Sequence, residues 1–160
     1  MPNDQLYRGL PMKLTDLCRR EVVTISAAAP VVEAAQLMCS QRVGAVIVTT
    51  SRADRVIAVG VLTDRDIVCA QLAGARDLGQ LRVGDVMAAD PLVLNAEDPI
   101  DEAIRRMRAR GVRRAPVAGP GGVLSGVISF DDLLAHISGK LAGLARLTGR
   151  QARREETWVV

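Results

Sequence analysis

Two stretches of this chain carry the same pattern, Gly60-Val61-Leu62-Thr63-Asp64-Arg65-Asp66 and Gly126-Val127-Ile128-Ser129-Phe130-Asp131-Asp132. Each has a glycine, two large aliphatic residues, a small hydroxyl residue, two variable positions and an aspartate. The aliphatic residues are typical of the end of a buried strand, and the aspartate then falls in the first turn of a helix. We call each such strand-to-helix junction a corner. If the fold brings the two corners together, they would present hydroxyls, carboxylates and free helix N–H groups to one cleft.

The repetition extends well beyond the two corners, which indicates an internal duplication. A shift of 69 residues aligns Pro30 with Pro99, Glu33 with Glu102, Met38 with Met107 and Val48 with Val117. The loop that follows is three residues longer in the first copy, so the two corners after it align at a shift of 66 residues.

Each copy predicts a β-α-β-β-α unit, so the predicted fold class is α+β, built from tandem repeats. The first helix of each copy has proline at its first position, where a missing N–H costs nothing. Its apolar residues recur at helical spacing and predict one buried stripe. The predicted strands are residues 22–25, 45–50 and 56–62, then 91–94, 115–118 and 123–128, and the closing helices are residues 64–72 and 130–137.

The chain divides accordingly. We expect an N-terminal arm over residues 1–13, a first repeat over 14–73, a linker over 74–82 and a second repeat over 83–138. Residues 139–160 follow as an amphipathic C-terminal helix with a charged tail.

The composition limits the classes of function. A chain of 160 residues that is 49% hydrophobic and 24% charged is typical of a globular domain. With one Trp, one Tyr and one Phe, it has almost no aromatic platform for stacking bases. Three widely spaced cysteines and the lack of an apolar leader or an 18-residue apolar run favour a reduced, cytoplasmic protein.

No group of residues has the pattern of a catalytic centre. The cysteines and the single histidine lack metal-ligand spacing, and no nucleophile stands beside a base. We therefore expect neither enzyme activity, nor a metal site, nor a required cofactor.

The duplicated unit resembles the CBS (cystathionine β-synthase) domain pair, or Bateman module, and is similar to small stand-alone bacterial proteins of that kind. The resemblance covers residues 14–138. It rests on the two corners, on Val86-Met87 at the start of the second repeat, and on the run Val112-Arg113-Arg114-Ala115-Pro116-Val117. It implies repeats packed about a pseudo-twofold axis with two clefts. It also implies an adenosine-containing ligand (AMP, ADP, ATP or S-adenosylmethionine), a regulatory role and a homodimer.

The resemblance assigns the ligand contacts residue by residue. Asp66 and Asp132 are the implied ribose binders, with Thr63 and Ser129 beside them. A carboxylate suits this role because its two acceptor oxygens can take both hydroxyls of a ribose diol.

The phosphate would be held by Arg113 and Arg114 and by free N–H groups at the helix N-termini. The adenine would lie against the two first-strand segments, residues 24–26 and 93–95. Its candidate contacts there are Thr24, Ser26, Val93 and Asn95.

The two repeats differ at the predicted phosphate position. Where the second repeat has Arg113-Arg114, the first has Gly44-Ala45. This difference predicts unequal sites, with one nucleotide bound well per chain and a second bound weakly or not at all.

Other interpretations stay open. The pairs Thr63/Asp66 and Ser129/Asp132 also match helix capping boxes, and the paired arginines match a solvated helix end. The module could then serve only for dimerisation or protein docking. A nucleic-acid interface is a further alternative, through the basic residues Arg146, Arg150, Arg153 and Arg154.

Overall fold

The computed structural model describes residues 12–73 and 77–155, and side chains as far as residue 146. Most of the predicted arm, part of the predicted linker and residues 156–160 of the predicted tail lie outside this range. The first repeat forms β1 Thr24–Ser26, α1 Val31–Gln41, β2 Ala45–Arg52, β3 Arg55–Thr63 and α2 Asp64–Leu72. The second repeat begins with α3 Val83–Val86 and β4 Ala88–Ala89, and continues as β5 Leu94–Asn95, α4 Ile100–Arg110, β6 Arg114–Ala118, β7 Leu124–Ser129 and α5 Phe130–Glu155. Short 3-10 helices lie at Leu14–Asp16, Leu78–Gln80 and Pro120–Gly122.

Each repeat builds one small mixed sheet. In the first sheet, of order β1-β2-β3-β4, β1 is parallel to β2, and the other neighbouring strands are antiparallel. In the second sheet, of order β5-β6-β7, the same parallel and antiparallel pairings recur. The predicted tandem β-α-β-β-α fold is therefore confirmed.

The two repeats exchange their leading segments. Strand β4, at the start of the second repeat, pairs with β3 of the first repeat. Reciprocally, Arg19, at the start of the first repeat, forms an antiparallel bridge with Val127 of β7. Each sheet edge is thus extended by the other repeat, and this exchange brings a second chain segment next to each strand-to-helix corner.

The hydrophobic core of each repeat also contains residues from outside that repeat. Leu14, from the start of the first repeat, is fully buried in the core of the second. Leu81 and Val83, at the junction before the second repeat, are buried in the core of the first. The helical stripes predicted around Met38 and Met107 face these two cores. Burial of apolar side chains from one repeat in the core of the other stabilises the packing of the two repeats against each other.

Element boundaries differ from the prediction mainly at the first strands and at the end of the chain. The first strands are short, three and two residues, and begin two to three residues later than predicted. Pro30 and Pro99 occupy the N-cap position instead of the first helical position. Helix α5 continues without interruption to Glu155, where a separate helix and tail were expected. None of the described helices is long and apolar enough to cross a membrane.

Candidate functional site

The corner at the end of β3 opens onto a cavity of about 370 Å³, which we call the first cleft. Its wall combines the first repeat's corner with residues of β4, the segment after it, and the end of α4. The residues that line it are Ala45, Val61, Thr63, Asp66, Ala88, Ala89, Asp90, Pro91, Leu92, Arg110, Val112, Arg113 and Arg114.

The corner at the end of β7 opens onto a separate cavity of about 270 Å³, the second cleft. The sequence suggested that the two acidic corners face one common cleft, and this expectation is wrong. Each has its own cavity, and Ala45 and Arg114 border both. The second cleft is lined by Arg19, Glu21, Val22, Val23, Arg42, Val43, Gly44, Ala45, Ile47, Arg114, Val127, Ser129, Asp131 and Asp132.

The two clefts are built from matching positions of the two repeats. The shifts that align the sequences place Ser129 and Asp132 on Thr63 and Asp66. They also place the lining segment Val22-Val23 on Pro91-Leu92. Local pseudo-symmetry therefore makes residue-by-residue differences between the clefts directly comparable.

In the first cleft, Thr63 and Asp66 form a closed capping box at the start of α2. Thr63 Oγ1 accepts from the N–H of Asp66 at 3.2 Å. Asp66 Oδ2 accepts from the N–H of Thr63 at 2.9 Å and from its hydroxyl at 2.7 Å. Among the described residues, Asp66 Oδ1 has no hydrogen-bond donor. The capping interpretation is thus correct, yet it leaves one carboxylate oxygen available at the cleft wall.

In the second cleft, Ser129 and Asp132 form the same box at the start of α5. Ser129 Oγ accepts from the N–H of Asp132 at 3.2 Å, and Asp132 Oδ2 accepts from the N–H of Ser129 at 3.0 Å. The hydroxyl of Ser129 also donates to Oδ2. Here, however, Asp132 Oδ1 is occupied, because Arg19 Nε and Nη2 lie 2.9 and 2.8 Å from it.

Burial and the hydrogen bonds from Ser129 and Arg19 together change the pKa of the Asp132 carboxyl. Burial raises the pKa of its carboxyl, but hydrogen bonds from Ser129 and Arg19 outweigh burial and leave the pKa below its ordinary value. Only 12% of the Asp132 side chain is exposed, against 69% for Arg19. The carboxylate is therefore held charged at neutral pH.

The helix N-termini do not supply the free N–H groups that the sequence predicted at the first cleft. At the start of α2, the N–H of Asp64 donates to Gly44 O at 3.2 Å, and that of Arg65 donates to Asp64 Oδ1 at 2.7 Å. The N–H of Asp66 is taken by the capping box. Because the corner satisfies its own donors, any phosphate in this cleft must rely on side-chain cations.

Arginine side chains supply those cations. Arg113 and Arg114 both line the first cleft. They belong to the second repeat, whereas Asp66 belongs to the first. Arg113 lies over the ring of Phe130 at 5.4 Å and 3.8 Å from Asp131 Oδ1, both at the start of α5. Arg114 has no ion-pair partner among the described residues and also borders the second cleft.

The residues predicted to contact adenine lie just beyond the cavities. Thr24, Ser26 and Asn95 are exposed, and Val93 is half-buried. Ser26 Oγ and Asn95 Oδ1 each accept a backbone N–H two residues ahead, at 3.2 and 2.9 Å. The cavity walls are instead formed by the residues immediately before them, Val22-Val23 and Pro91-Leu92. Thr24, Ser26, Val93 and Asn95 thus line neither cavity, and their contacts with a base stay a prediction.

Several charged lining residues were missed from the sequence. Arg110 lines the first cleft and pairs with Asp90 Oδ2 at 3.0 Å. Arg19 and Arg42 line the second cleft. The shift of 69 residues places Arg19 on Ala88, but only the structure shows that Ala88 lines the first cleft, so the sequence alone contained no signal for Arg19.

No cluster of potential metal ligands occurs within the described residues. Of the basic residues considered for nucleic acid, Arg146 is exposed, whereas the side chains of Arg150, Arg153 and Arg154 lie outside the described part of the chain.

The fold and the paired clefts define a duplicated β-α-β-β-α module with pseudo-twofold symmetry. The chain belongs to the CBS domain family, whose model matches residues 14–73 and 83–139. The CBS domain-containing protein YhcV of Bacillus subtilis is 31% identical over 131 residues, which cover 81% of this chain and 89% of that protein. A relative from Methanopyrus kandleri, 25% identical, is longer, and the chain spans 59% of its length.

Two solved structures illustrate what similar proteins do. The CBS domain protein PAE2072 from Pyrobaculum aerophilum, solved in complex with AMP, superposes with a TM-score of 0.68 at 25% identity, covering 80% of this chain and 99% of that one. A CBS-CP12 protein from bloom-forming cyanobacteria, which is hexameric, has a TM-score of 0.68 at 30% identity, covering 78% of this chain and 67% of that one.

Proposed function

We propose that this protein is a regulatory module that binds an adenosine-containing ligand in its first cleft, with no catalytic role of its own. The observation that carries the proposal is the free Oδ1 of Asp66 in a cavity that Arg113 and Arg114 also line. One oxygen of this carboxylate holds the corner together and the other can accept from a ribose hydroxyl. The guanidinium groups can neutralise a phosphate.

The size and chemistry of the first cleft support a nucleotide. Its volume of about 370 Å³ falls within the range of small-molecule sites, about 300–1,000 Å³. Its wall includes Val61, Pro91, Leu92 and Val112, which offer apolar contact to a base beside the polar groups. AMP bound to the similar Pyrobaculum protein supports the ligand class, while AMP, ADP, ATP and S-adenosylmethionine all remain candidates.

A ligand in this cleft would act on the arrangement of the repeats. The proposed ribose acceptor, Asp66, belongs to the first repeat, and the proposed phosphate contacts, Arg113 and Arg114, belong to the second. One molecule would therefore bridge the two halves. It would favour whichever relative arrangement lets both ends engage, and its regulatory effect equals its difference in affinity between arrangements.

We further propose that the module works as a homodimer in the cytoplasm. Helix α5 carries an exposed apolar face formed by Phe130, Leu134, Ile137, Leu141 and Leu144. Next to it, a cavity of about 360 Å³ is lined almost wholly by apolar side chains of α4 and α5. Such a face is typical of a protein interface. The hexameric state of the similar cyanobacterial protein supports association between copies.

One observation favours a second candidate, a module that only dimerises or docks on another protein. Both corners are internally closed capping boxes, which would be needed for folding with or without a ligand. Under this alternative, Asp66 would contribute only to stability.

Thermal unfolding with added ligands separates the two candidates. The measurement compares the melting temperature alone and with AMP, ADP, ATP or S-adenosylmethionine. A ligand present at a hundredfold excess over its Kd stabilises the native state by about 2.7 kcal/mol, which corresponds to a rise on the order of 5–10 °C. A melting temperature unchanged by all four ligands would contradict the first proposal and leave the docking module.

A further inference from the structure

The two corner aspartates differ in how many acceptor sites they have left. An ionised carboxylate has about four lone-pair sites. At Asp132, Oδ2 accepts from the N–H and the hydroxyl of Ser129, and Oδ1 accepts from Arg19 Nε, with Arg19 Nη2 also 2.8 Å away. At Asp66 only the two bonds from Thr63 are present among the described residues, both on Oδ2. A ribose diol therefore finds a carboxylate oxygen without a donor at Asp66, whereas at Asp132 both oxygens already have donors and Oδ1 becomes free only if Arg19 moves away.

The difference comes from a single pair of matched positions. The alignment shift of 69 residues places Arg19 on Ala88. Arg19 and Ala88 occupy equivalent backbone positions. Arg19 forms a β-bridge with Val127, and Ala88 pairs with Val61, which aligns with Val127. One position thus carries a guanidinium beside its aspartate, and the other carries a methyl group.

The backbone holds Arg19 where its side chain reaches the corner. The N–H of Arg19 donates to Val127 O at 2.9 Å, and the N–H of Val127 donates to Arg19 O at 2.9 Å. Val127 is two residues before Ser129, where the capping box begins. Because this pair of bonds anchors the main chain, the guanidinium needs no rearrangement of the repeat to stay on Asp132.

We propose that Arg19 closes the second cleft to adenosine-containing ligands by occupying the carboxylate that would otherwise hold the ribose. Ala88, at the matched position, leaves the first cleft open. The residue at this position thereby determines which of the two pseudo-symmetric clefts binds ligand. This inference rests on the proposed function of the first cleft and adds the reason why the two clefts are unequal.

Other charges in the second cleft are consistent with a closed site. Its wall carries Arg19, Arg42 and Arg114 against Glu21, Asp131 and Asp132, so its formal charges balance. In the first cleft, Arg110, Arg113 and Arg114 face Asp66 and Asp90, which leaves one cation in excess. An anionic ligand is therefore favoured in the first cleft by charge as well as by the free carboxylate oxygen.

A reciprocal exchange tests the proposal by calorimetric titration of the full chain with AMP as the probe. Wild type is expected to bind one AMP per chain. Arg19→Ala is expected to bind two, with affinity for the second cleft raised at least tenfold, because Oδ1 of Asp132 becomes free. Ala88→Arg is expected to weaken the first cleft at least tenfold, since it puts a guanidinium beside Asp66.

Arg20→Ala is the matched control, because it removes the neighbouring positive charge at an exposed residue that lines neither cleft. It should leave one AMP per chain. Position 88 is exposed, so the longer side chain has room and a thermal melt of each variant checks its fold.

The outcomes separate this inference from the proposed function. One AMP per chain in wild type and still one in Arg19→Ala would overturn the role of Arg19 alone. Two equal sites in wild type would overturn it as well. If AMP binds neither wild type nor any variant, the same titrations are made with ADP, ATP and S-adenosylmethionine. No binding of any of the four would overturn the proposed nucleotide site, and this inference with it.

Discussion

Gly126 lies directly against the backbone of Arg19: a Cβ added at Gly126 would stand 2.9 Å from the carbonyl oxygen of Arg19 and 2.8 Å from Cys18 Sγ. The glycine is therefore needed for space and not for a left-handed backbone. Its counterpart, Gly60, meets the same situation, since an added Cβ there would overlap the side chain of Met87. These close approaches let each repeat lay its leading segment on the other's sheet edge, beside the acidic corner.

Replacing Gly126 with alanine should destabilise the protein, because the main chain at Arg19 has to move. Overpacking of this kind typically costs about 1–3 kcal/mol. The free energy of unfolding by urea measures the effect. Gly139→Ala is the matched control: it sits within α5 with no atom within 4 Å of an added Cβ, so it should gain up to about 1 kcal/mol from better helix propensity. Equal stability of Gly126→Ala and wild type would contradict the packing argument.

Asp66→Ala should weaken binding of AMP roughly 10–100-fold, because the ribose loses charge-assisted hydrogen bonds. Titration calorimetry measures the affinity. The substitution also removes a helix cap, so its control must lose a cap elsewhere. Asp85→Ala serves, since Asp85 accepts from the N–H of Arg82 at 3.0 Å at the start of α3 and lines neither cleft. If both variants bind AMP as wild type does, Asp66 has only its capping role.

At the ends of α1 and α4, introducing a glycine and removing one should change stability in opposite directions. Both helices end in a left-handed residue, Arg42 with φ 53° and Gly111 with φ 63°. Arg42→Gly should therefore stabilise the protein by roughly 0.5–1 kcal/mol, because glycine adopts this conformation without steric cost. Gly111→Ala should destabilise it by a similar amount or more. Differential scanning calorimetry of the two variants measures both; a destabilised Arg42→Gly would show that the arginine side chain matters more than its backbone.

The Arg19–Asp132 pair predicts a pH dependence of stability. Because the pKa of Asp132 is lowered in the folded state, its charge stabilises the fold above about pH 4 and this contribution is lost as pH falls through the folded-state value. Arg19→Ala should be less stable than wild type near neutral pH, by less than about 1 kcal/mol since the arginine is largely exposed. Urea unfolding at a series of pH values should show the two curves converging below about pH 4. A difference that does not decrease at all as pH falls below about 4 would argue against the ion pair as its source.

The apolar face of α5 predicts that Leu134→Asp breaks the homodimer that we propose. Leu134 is 49% exposed and lines the apolar cavity beside α4, so a buried charge at an interface there would be strongly unfavourable. Sedimentation analysis should shift from dimer to monomer. Val56→Asp is the control, since Val56 is 43% exposed but lies on the β2–β3 hairpin. A dimer that survives Leu134→Asp and dissociates with Val56→Asp would place the interface on the sheet edge instead.

Local sequence patterns were sufficient for the repeat and its elements. The matched prolines, the helical stripes around Met38 and Met107 and the two corners depend on spacing along the chain, and the secondary structure follows them closely. Capping boxes are local as well, which is why Thr63/Asp66 and Ser129/Asp132 appear as the sequence indicated. The family assignment follows from the same motifs.

The separation into two clefts, and the difference between them, depend on contacts between residues far apart in the chain. Nothing near Asp132 in sequence indicates that Arg19, 113 residues away, donates to its carboxylate. Nor does local spacing show that Leu14 and Val83 are buried in the core of the opposite repeat. These pairings arise only when the leading segments cross between repeats. Periodicity along the chain therefore specified the two units, whereas the packing of one unit against the other determined which acidic corner keeps an acceptor oxygen free.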